Sequence, residues 1–254
     1  MISVVIIAKN EAHIIGRTLQ SLQGLTDDIV VVDNGSTDGT QDICKQYNAR
    51  VIETGWQGYG PTKNIGIDAA EYNWILNLDA DEAIDEILKQ ELLQLPLQNE
   101  EEVFEMWFKN FFVGQWIKHG EWGSDKHIRL FNRNQVKWNN AAVHENLGLS
   151  MSAKRTQLKG HILHYTAHSI AKYEQKTIAY AKLNARKYFE QGKKGNFFKQ
   201  YFSPAFSFLH NYFIRLGFMD GNAGFIIAKN TARYTWLKYK YLRQLHKTDN
   251  LQTA

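Results

Sequence analysis

Four apolar runs recur early in the chain: Ile2-Ser3-Val4-Val5-Ile6-Ile7-Ala8, Ile29-Val30-Val31-Val32, Arg50-Val51-Ile52-Glu53 and Trp74-Ile75-Leu76-Asn77-Leu78. The first two are short, β-branched and nearly continuous rather than alternating, which is the pattern of buried, parallel-type strands; the other two read as a third and a fourth strand. Between them lie segments with helical spacing. Glu11 to Leu22 places Ile14, Ile15, Leu19 and Leu22 on one face, and Thr40 to Tyr47 and Pro61 to Ala70 follow. Pro61 suits a first helical turn, where its missing N–H costs little. Asp85 to Leu95 reads as a fourth helix, stopping before Pro96. The resulting β-α-β-α-β-α-β order predicts an α/β fold with a mostly parallel central sheet and helices on both faces.

The pattern changes after Gln98-Asn99-Glu100-Glu101-Glu102. Val103 to Val113, His127 to Phe131 and Leu158 to Tyr165 read as further strands, with Trp107, Trp116, Trp122 and Trp138 crowded among them. From His168 onward the spacing is helical: Ile170 to Phe189, then Phe197 to Leu216 with a break expected near Pro204, then Ala223 to Leu245. This divides the chain into a first region, residues 1–166, and a basic, aromatic-rich helical extension, residues 167–254. The first region divides again where the pattern changes, into residues 1–98 and residues 99–166.

Charge sharpens that division. Residues 1–150 carry 12 Lys+Arg against 22 Asp+Glu, whereas residues 151–254 carry 18 against 4. The acidic segment suits a cation; the basic one suits a polyanionic surface such as lipid headgroups, an acidic glycolipid or nucleic acid. The single cysteine, Cys44, excludes an intramolecular disulfide framework and reads as a small apolar filler on a helix in a reducing compartment. Ile2 to Ala8 is too short for a secretory signal and lacks a basic leader, and no run approaches the ~20 apolar residues of a membrane span. A cytoplasmic location is expected, with contact to the inner face of the membrane through 196–247.

In a parallel sheet, ligands gather beyond the carboxyl ends of the strands. Three polar motifs fall there: Asn10-Glu11, Asp33-Asn34-Gly35-Ser36 and Asp79-Ala80-Asp81. Paired carboxylates at a strand end suit a hard divalent cation that also grips substrate phosphates. Asp33 can accept hydrogen bonds from a base or ribose, and Ser36, Thr37 or Asp38 can cap the following helix. Lys63, near a helix start, can reach a pyrophosphate. Neither G-x-G-x-x-G after the first strand nor G-x-x-x-x-G-K-[ST] is present, which disfavours Rossmann dinucleotide and P-loop chemistry.

Together, Val5-Ile6-Ile7-Ala8-Lys9-Asn10-Glu11, Val31-Val32-Asp33-Asn34-Gly35-Ser36-Thr37-Asp38-Gly39-Thr40, Lys63-Asn64-Ile65-Gly66 and Leu76-Asn77-Leu78-Asp79-Ala80-Asp81-Glu82 resemble glycosyltransferase family 2. Trp122 to Phe131, Ala142-Val143-His144-Glu145 and Gly160 to Tyr165 look like bacterial lipopolysaccharide inner-core β-1,4-glucosyltransferases. The resemblance implies a GT-A fold and inverting transfer of a sugar, UDP-glucose being the favoured donor, to an anionic glycolipid acceptor. It further implies that residues 1–166 are the catalytic domain, with residues 1–98 binding the donor and residues 99–166 forming the acceptor side, and a donor site of Ala8, Asn10, Glu11, Asp33, Lys63, Asp79 and Asp81. In that site Asp33 takes the base, Lys63 the donor, Asp79 the ribose side, and Asp81 a Mn²⁺ or Mg²⁺ ion. Asp79 and one of the two histidines of the late strand, His164 being favoured over His161, are further candidates for the metal. The Glu-Asp or Asp-aromatic-Asp base motif of many members is not evident, so another carboxylate must take the acceptor proton; Glu145 is the first choice and Asp125 the second. Arg129 and Lys126 are candidates for stabilising charge on the leaving group.

Two other classes share features of this pattern. A nucleotidyltransferase would carry a Gly- and Arg/Lys-rich loop after the first strand, and Ala8-Lys9-Asn10-Glu11 is not one. A nucleic-acid-binding module could use the basic, aromatic segment, but the acidic segment would repel its ligand and no such motif appears. No nucleic-acid partner is expected.

Overall fold

The computed structural model describes residues 1–139 and 147–252, with side chains to residue 249. By contacts the chain divides into two compact units: residues 1–109 with 126–164, and residues 110–125 with 165–254.

The first unit is built on a mixed sheet that has nine strands among the described residues, eight of them wholly or mostly in this unit. The first strands are β1 (Ile2–Ala8), β2 (Ile29–Asp33), β3 (Arg50–Glu53) and β4 (Trp74–Asp79), with β1 between β2 and β4 in a parallel array. Helices α1 (Ile15–Ser21), α2 (Thr40–Gln46) and α3 (Tyr59–Ala69) connect them. Every residue of β1 and β2 is buried. Alternate side chains enter opposite layers: Val4, Ile6, Val31, Leu76 and Leu78 on one face, Val5, Val30 and Ile75 with Ile67 of α3 on the other. The continuous apolar runs thus mark strands covered on both sides. Cys44 is fully buried on α2 among the first of these layers, and burial, with Asp33 nearby, pushes its thiol up to about 11.

Gly66 explains the end of the Lys63-Asn64-x-Gly66 spacing. A Cβ there would meet Val5 Cγ1 at 2.5 Å and Val32 Cγ2 at 2.9 Å. The absent side chain lets α3 lie directly on the sheet and fixes the height of Lys63, one turn earlier.

The later strands are antiparallel. β5 (Glu82–Ile84) is followed by helix α4 (Glu86–Gln94), whose first turn is capped by the Asp85 carboxylate accepting from Leu88 N–H. Then come β6 (Val103–Phe112), β7 (Gln115–Trp116), β8 (Lys126–Asn132) and β9 (Arg155–Ala167). The strand order is β3-β2-β1-β4-β8-β6-β9-β5, with β7 paired to β6. Only Ala80 and Asp81 separate β4 from β5, yet β5 ends the order, paired to β9. The sheet therefore curls, and the β4–β5 turn is held against β9.

The second unit holds β7, α5 (Ile170–Glu190), α6 (Phe197–Leu209) and α7 (Gly221–Gln252). Helix α6 is not broken at Pro204, as the sequence suggested. The helix carries the proline inside it, and the irregularity comes later, as a π-turn over His210–Ile214. A proline removes one N–H and crowds one carbonyl; the amide of Asn211 bonds Ser207 O at 3.1 Å within the turn that follows. The glycine-rich segment 217–224 is a close-packed turn: a Cβ on Gly224 would lie 1.8 Å from Gly217 O. Asp220 within it accepts the N–H groups of Lys118 (3.2 Å) and His119 (2.8 Å), fastening segment 110–125 to the start of α7.

Candidate functional site

Strand register collects the motifs. Ala8 pairs with Asp33 and Ile7 with Asp79, so the carboxyl ends of β2, β1 and β4 present Asp33, Ala8 and Asp79 along one edge.

The loops after β1 and β2 are stitched together there. Asn10, at φ 56°, receives the Thr37 N–H on Oδ1 (2.8 Å) and donates its own N–H to Ser36 Oγ (2.8 Å). Glu11 N–H donates to Thr40 Oγ1 and Ala12 N–H to Asp38 Oδ2. The polar residues of the Asn-Gly-Ser-Thr-Asp-Gly-Thr run thus tie two loops, and α2 starts after Gly39 without a side-chain cap. Asp33 is fully buried, and its carboxylate accepts four hydrogen bonds: from Gly35 N, Ser36 N, Ser36 Oγ and Gln41 Nε2. Burial would raise its pKa, but these bonds hold it below the ordinary carboxylate value.

At the end of β4 the charges are dense. Asp79 lies 3.7 Å from Lys63 Nζ through Oδ1 and 3.3 Å from Arg129 Nη2 through Oδ2. Lys63 is 3% exposed and also sits over the Trp138 ring, 4.5 Å from its centroid. That ring is placed by reciprocal bonds of Asn64 with the Trp138 backbone, at 2.9 and 3.2 Å. Burial opposes the charge on Asp79, but Lys63, Arg129 and His164 overcome it and hold the group well below the usual carboxylate range.

Glu82 is the residue that sequence reasoning missed. It is 1% exposed, is bonded tightly to the Arg129 guanidinium, and accepts the Asp79 N–H at 3.0 Å. Burial raises its pKa, Arg129 opposes that, and Asp79 adds to it. Arg129, a candidate for leaving-group contact on sequence, is thereby fixed between Glu82 and Asp79, and these carboxylates keep it firmly cationic against burial. The available signal for Glu82 was its place directly after Asp79-Ala80-Asp81; nothing local marked it as buried.

The two histidines of β9 have different carboxylate partners. His161 accompanies Asp85, with its N–H 3.0 Å from Oδ1 and Nδ1 3.1 Å from Oδ2, at the start of α4. His164 pairs in register with Glu82 and puts Nε2 3.6 Å from Asp81 Oδ2. Burial works against its charge, but Asp81, then Glu82 and Asp79, hold the imidazole pKa above its ordinary value.

A cleft of about 590 Å³ opens beside this network, lined by Lys63, Asp79, His127, Arg129, Trp138 and Arg155 among others. Four of these six carry or can carry positive charge. Asp79 Oδ1 and Arg129 Nε are buried without a hydrogen-bond partner among the described residues. Buried polar atoms are normally satisfied, and these two are not. Asp81 and His164, 3.6 Å apart, are a carboxylate and an imidazole of the kind that could hold a divalent cation. Among the described residues no group of three His, Cys, Asp or Glu side chains could hold an ion alone.

The second unit contains Asp125, whose Oδ2 lies 3.5 Å from Asn110 Nδ2, an amide that also donates to Trp122 O at 2.9 Å. Glu145 lies outside the described residues.

The family model for glycosyl transferase family 2 matches residues 3–156. An uncharacterized glycosyltransferase of Rickettsia typhi is 31% identical, over 96% of this chain and 87% of that protein. The lipopolysaccharide core biosynthesis glycosyltransferase LpsC of Rhizobium meliloti is 28% identical, over 96% and 93%. The structure of S. aureus TarS 1-349 in complex with UDP-GlcNAc aligns over 96% of this chain and 91% of that one, at 16% identity and a TM-score of 0.47.

Proposed function

Since the chain belongs to glycosyltransferase family 2 and has its GT-A fold, we propose that it transfers glucose from UDP-glucose, with inversion, to a lipopolysaccharide-core or related envelope glycolipid. The observation that carries the site assignment is the Asp79–Arg129–Lys63 cluster at the carboxyl edge of the sheet, opening on the cationic cleft, in which Asp79 Oδ1 and Arg129 Nε have no hydrogen-bond partner among the described residues. The acceptor class is supported by the name of the Rhizobium relative and by the inner-core motifs. The donor sugar rests on those motifs alone.

In this reading Asp33 shapes the loop that receives the nucleoside, and Asn10 and Glu11 hold the facing loop against it. Lys63 and Arg129 offer positive charge where the diphosphate develops negative charge as the glycosidic bond breaks. Such charge is most effective when fixed in advance, and here burial, Trp138 and Glu82 fix it. Asp81, with His164, would hold Mn²⁺ or Mg²⁺, which when bound neutralises diphosphate charge. Asp79 orients the two cations and turns its unsatisfied oxygen to the donor. The acceptor hydroxyl loses its proton to a carboxylate, for which Glu145 is the proposed base and Asp125 the alternative.

The enzyme is proposed to work in the cytoplasm, at the inner face of the membrane bearing its acceptor, through the region 196–247. No helix among the described residues is long and apolar enough to cross a membrane. The test is release of UDP from a panel of nucleotide sugars with Mn²⁺, with and without lipopolysaccharide-core acceptor. UDP-glucose should be used fastest, and acceptor should accelerate release. Glu145→Gln should lower transfer by about 10²–10⁴-fold while UDP still binds. Wild-type turnover in that variant would remove Glu145 as base, and no UDP release from any sugar nucleotide would remove the transfer reading.

A further inference from the structure

Helix α6 is inside out. Its most buried residue is Gln200, 5% exposed, whose Oε1 accepts from Arg243 Nη1 of α7 at 2.6 Å. Asn211, in the π-turn that follows, is also buried. On the other side Phe197, Phe198, Phe202, Phe206 and Leu209 are all more than half exposed. At 100° per residue they share one broad face with Tyr201, and the rings run in file, Phe197 on Tyr201 at 4.4 Å and Phe198 on Phe202 at 4.1 Å between centroids. The exposed surface continues through Phe213, Ile214, Phe218 and Met219. A surface helix ordinarily turns its apolar stripe inward. A contiguous exposed apolar patch of this kind marks an interaction surface.

The charges around the patch say what covers it. From Gln191 to Met219 there is no Asp or Glu, whereas Lys193, Lys194, Lys199 and Arg215 are present and exposed. Lys199 stands at the edge of the aromatic face, and Lys193 and Lys194 directly precede it. Aromatic rings bordered by lysine and arginine suit the boundary between acyl chains and anionic headgroups. A second copy of the same surface would oppose like charges.

We propose that the aromatic face of α6 and the turn after it, residues 197–219, seats in the headgroup layer of an anionic lipid membrane. The choice of a lipid surface rests on the glycolipid acceptor proposed above, and it specifies the docking element within 196–247. Phe198, Phe202 and Phe206 enter the apolar boundary, while Lys194, Lys199 and Arg215 meet lipid phosphates.

The experiment is flotation of the full chain with vesicles of equimolar phosphatidylcholine and phosphatidylglycerol, and with phosphatidylcholine alone. Wild type should float with the mixed vesicles and at least about tenfold less with neutral ones. The variant Phe198→Ser/Phe202→Ser/Phe206→Ser should lose at least about tenfold of the binding, with an unchanged melting curve because these side chains are exposed. Lys194→Glu/Lys199→Glu, which keeps the rings, should lose the preference for anionic lipid. Wild type that does not float, or a triple serine variant that floats as wild type does, overturns the proposal. So does light scattering that shows a lipid-free dimer dissolved by the serine substitutions, which would give the face to a second copy. UDP release from UDP-glucose, measured without lipid, keeps the two readings apart: flotation without UDP release would sink the transferase reading and leave the lipid surface standing, and the reverse would sink only the lipid surface.

Discussion

Two aspartates at opposite edges of one sheet carry the same formal charge and meet different fates. Asp28, at the amino edge, accepts from Ser3 Oγ at 2.5 Å, Glu71 N–H at 2.7 Å and Arg50 Nη2 at 2.7 Å. Asp79, at the carboxyl edge, meets Arg129 at 3.3 Å and Lys63 at 3.7 Å, and its Oδ1 makes no hydrogen bond among the described residues. Both carboxylates are held below their ordinary pKa against burial, Asp28 mainly by hydrogen bonds from Ser3 and Glu71, Asp79 mainly by the charges of Lys63 and Arg129. The difference teaches how to read a buried acid. One saturated by short bonds fastens the fold, here joining the starts of β1, β2, β3 and β4. One held at longer range between cations keeps an oxygen to spare, as the proposed donor site requires.

The largest effect should come from the carboxyl edge. Asp81→Asn leaves the Lys63–Asp79–Arg129–Glu82 network intact, so UDP release from UDP-glucose should fall by about 10²–10³-fold while thermal unfolding changes little. At the amino edge the pattern should reverse. Asp28→Ala strands Ser3 Oγ, the Glu71 N–H and Arg50, and should cost about 2–3 kcal/mol in urea unfolding, with UDP release per folded molecule unchanged. If Asp28→Ala abolished turnover without loss of stability, the contrast between the edges would collapse.

Gly66→Ala joins the two outcomes. Its Cβ would drive α3 off Val5 and Val32, costing about 1–3 kcal/mol and displacing Lys63, so UDP affinity should fall along with stability. The smallest effect is acid sensitivity. Because the native pKa of Asp28 is lowered, the stability it contributes is present above the ordinary carboxylate value of about 4. That stability is lost as pH falls through this value toward the lower native one. Asp28→Asn should therefore flatten the acid limb of a stability-against-pH curve, and an unchanged limb would show that Asp28 does not carry it.

Much of this was legible beforehand, for physical reasons. Short, continuous β-branched runs separated by helical spacing suit strands covered on both faces, so β1 and β2, the strand order of the first eighty residues and the edge bearing Asp33, Asp79 and Asp81 were readable from pattern; β3, at the edge of the sheet, is only half-buried. β5 did not: Glu82-Ala83-Ile84 is too short to show a period, and it is a strand only because β9 pairs with it. Glu82 carried no assigned role because its partner, Arg129, lies on β8, far along the chain. The periodicity of Phe197 to Leu209 located an aromatic stripe without saying which way it faces; that depends on Gln200 reaching Arg243 on another helix. Pro204 announced a break that the helix does not make.

The central claim is that the edge bearing Asp79 and Asp81 binds a nucleotide diphosphate with a divalent cation. Titration calorimetry of UDP, with and without Mn²⁺, on the wild type and on Asp81→Asn tests it most directly. The account predicts that Mn²⁺ tightens UDP binding at least about tenfold in the wild type. It also predicts that Asp81→Asn loses that gain while keeping the cation-free affinity, which Lys63 and Arg129 supply. Equal tightening by Mn²⁺ in both proteins, or no UDP binding by the wild type under either condition, would contradict it.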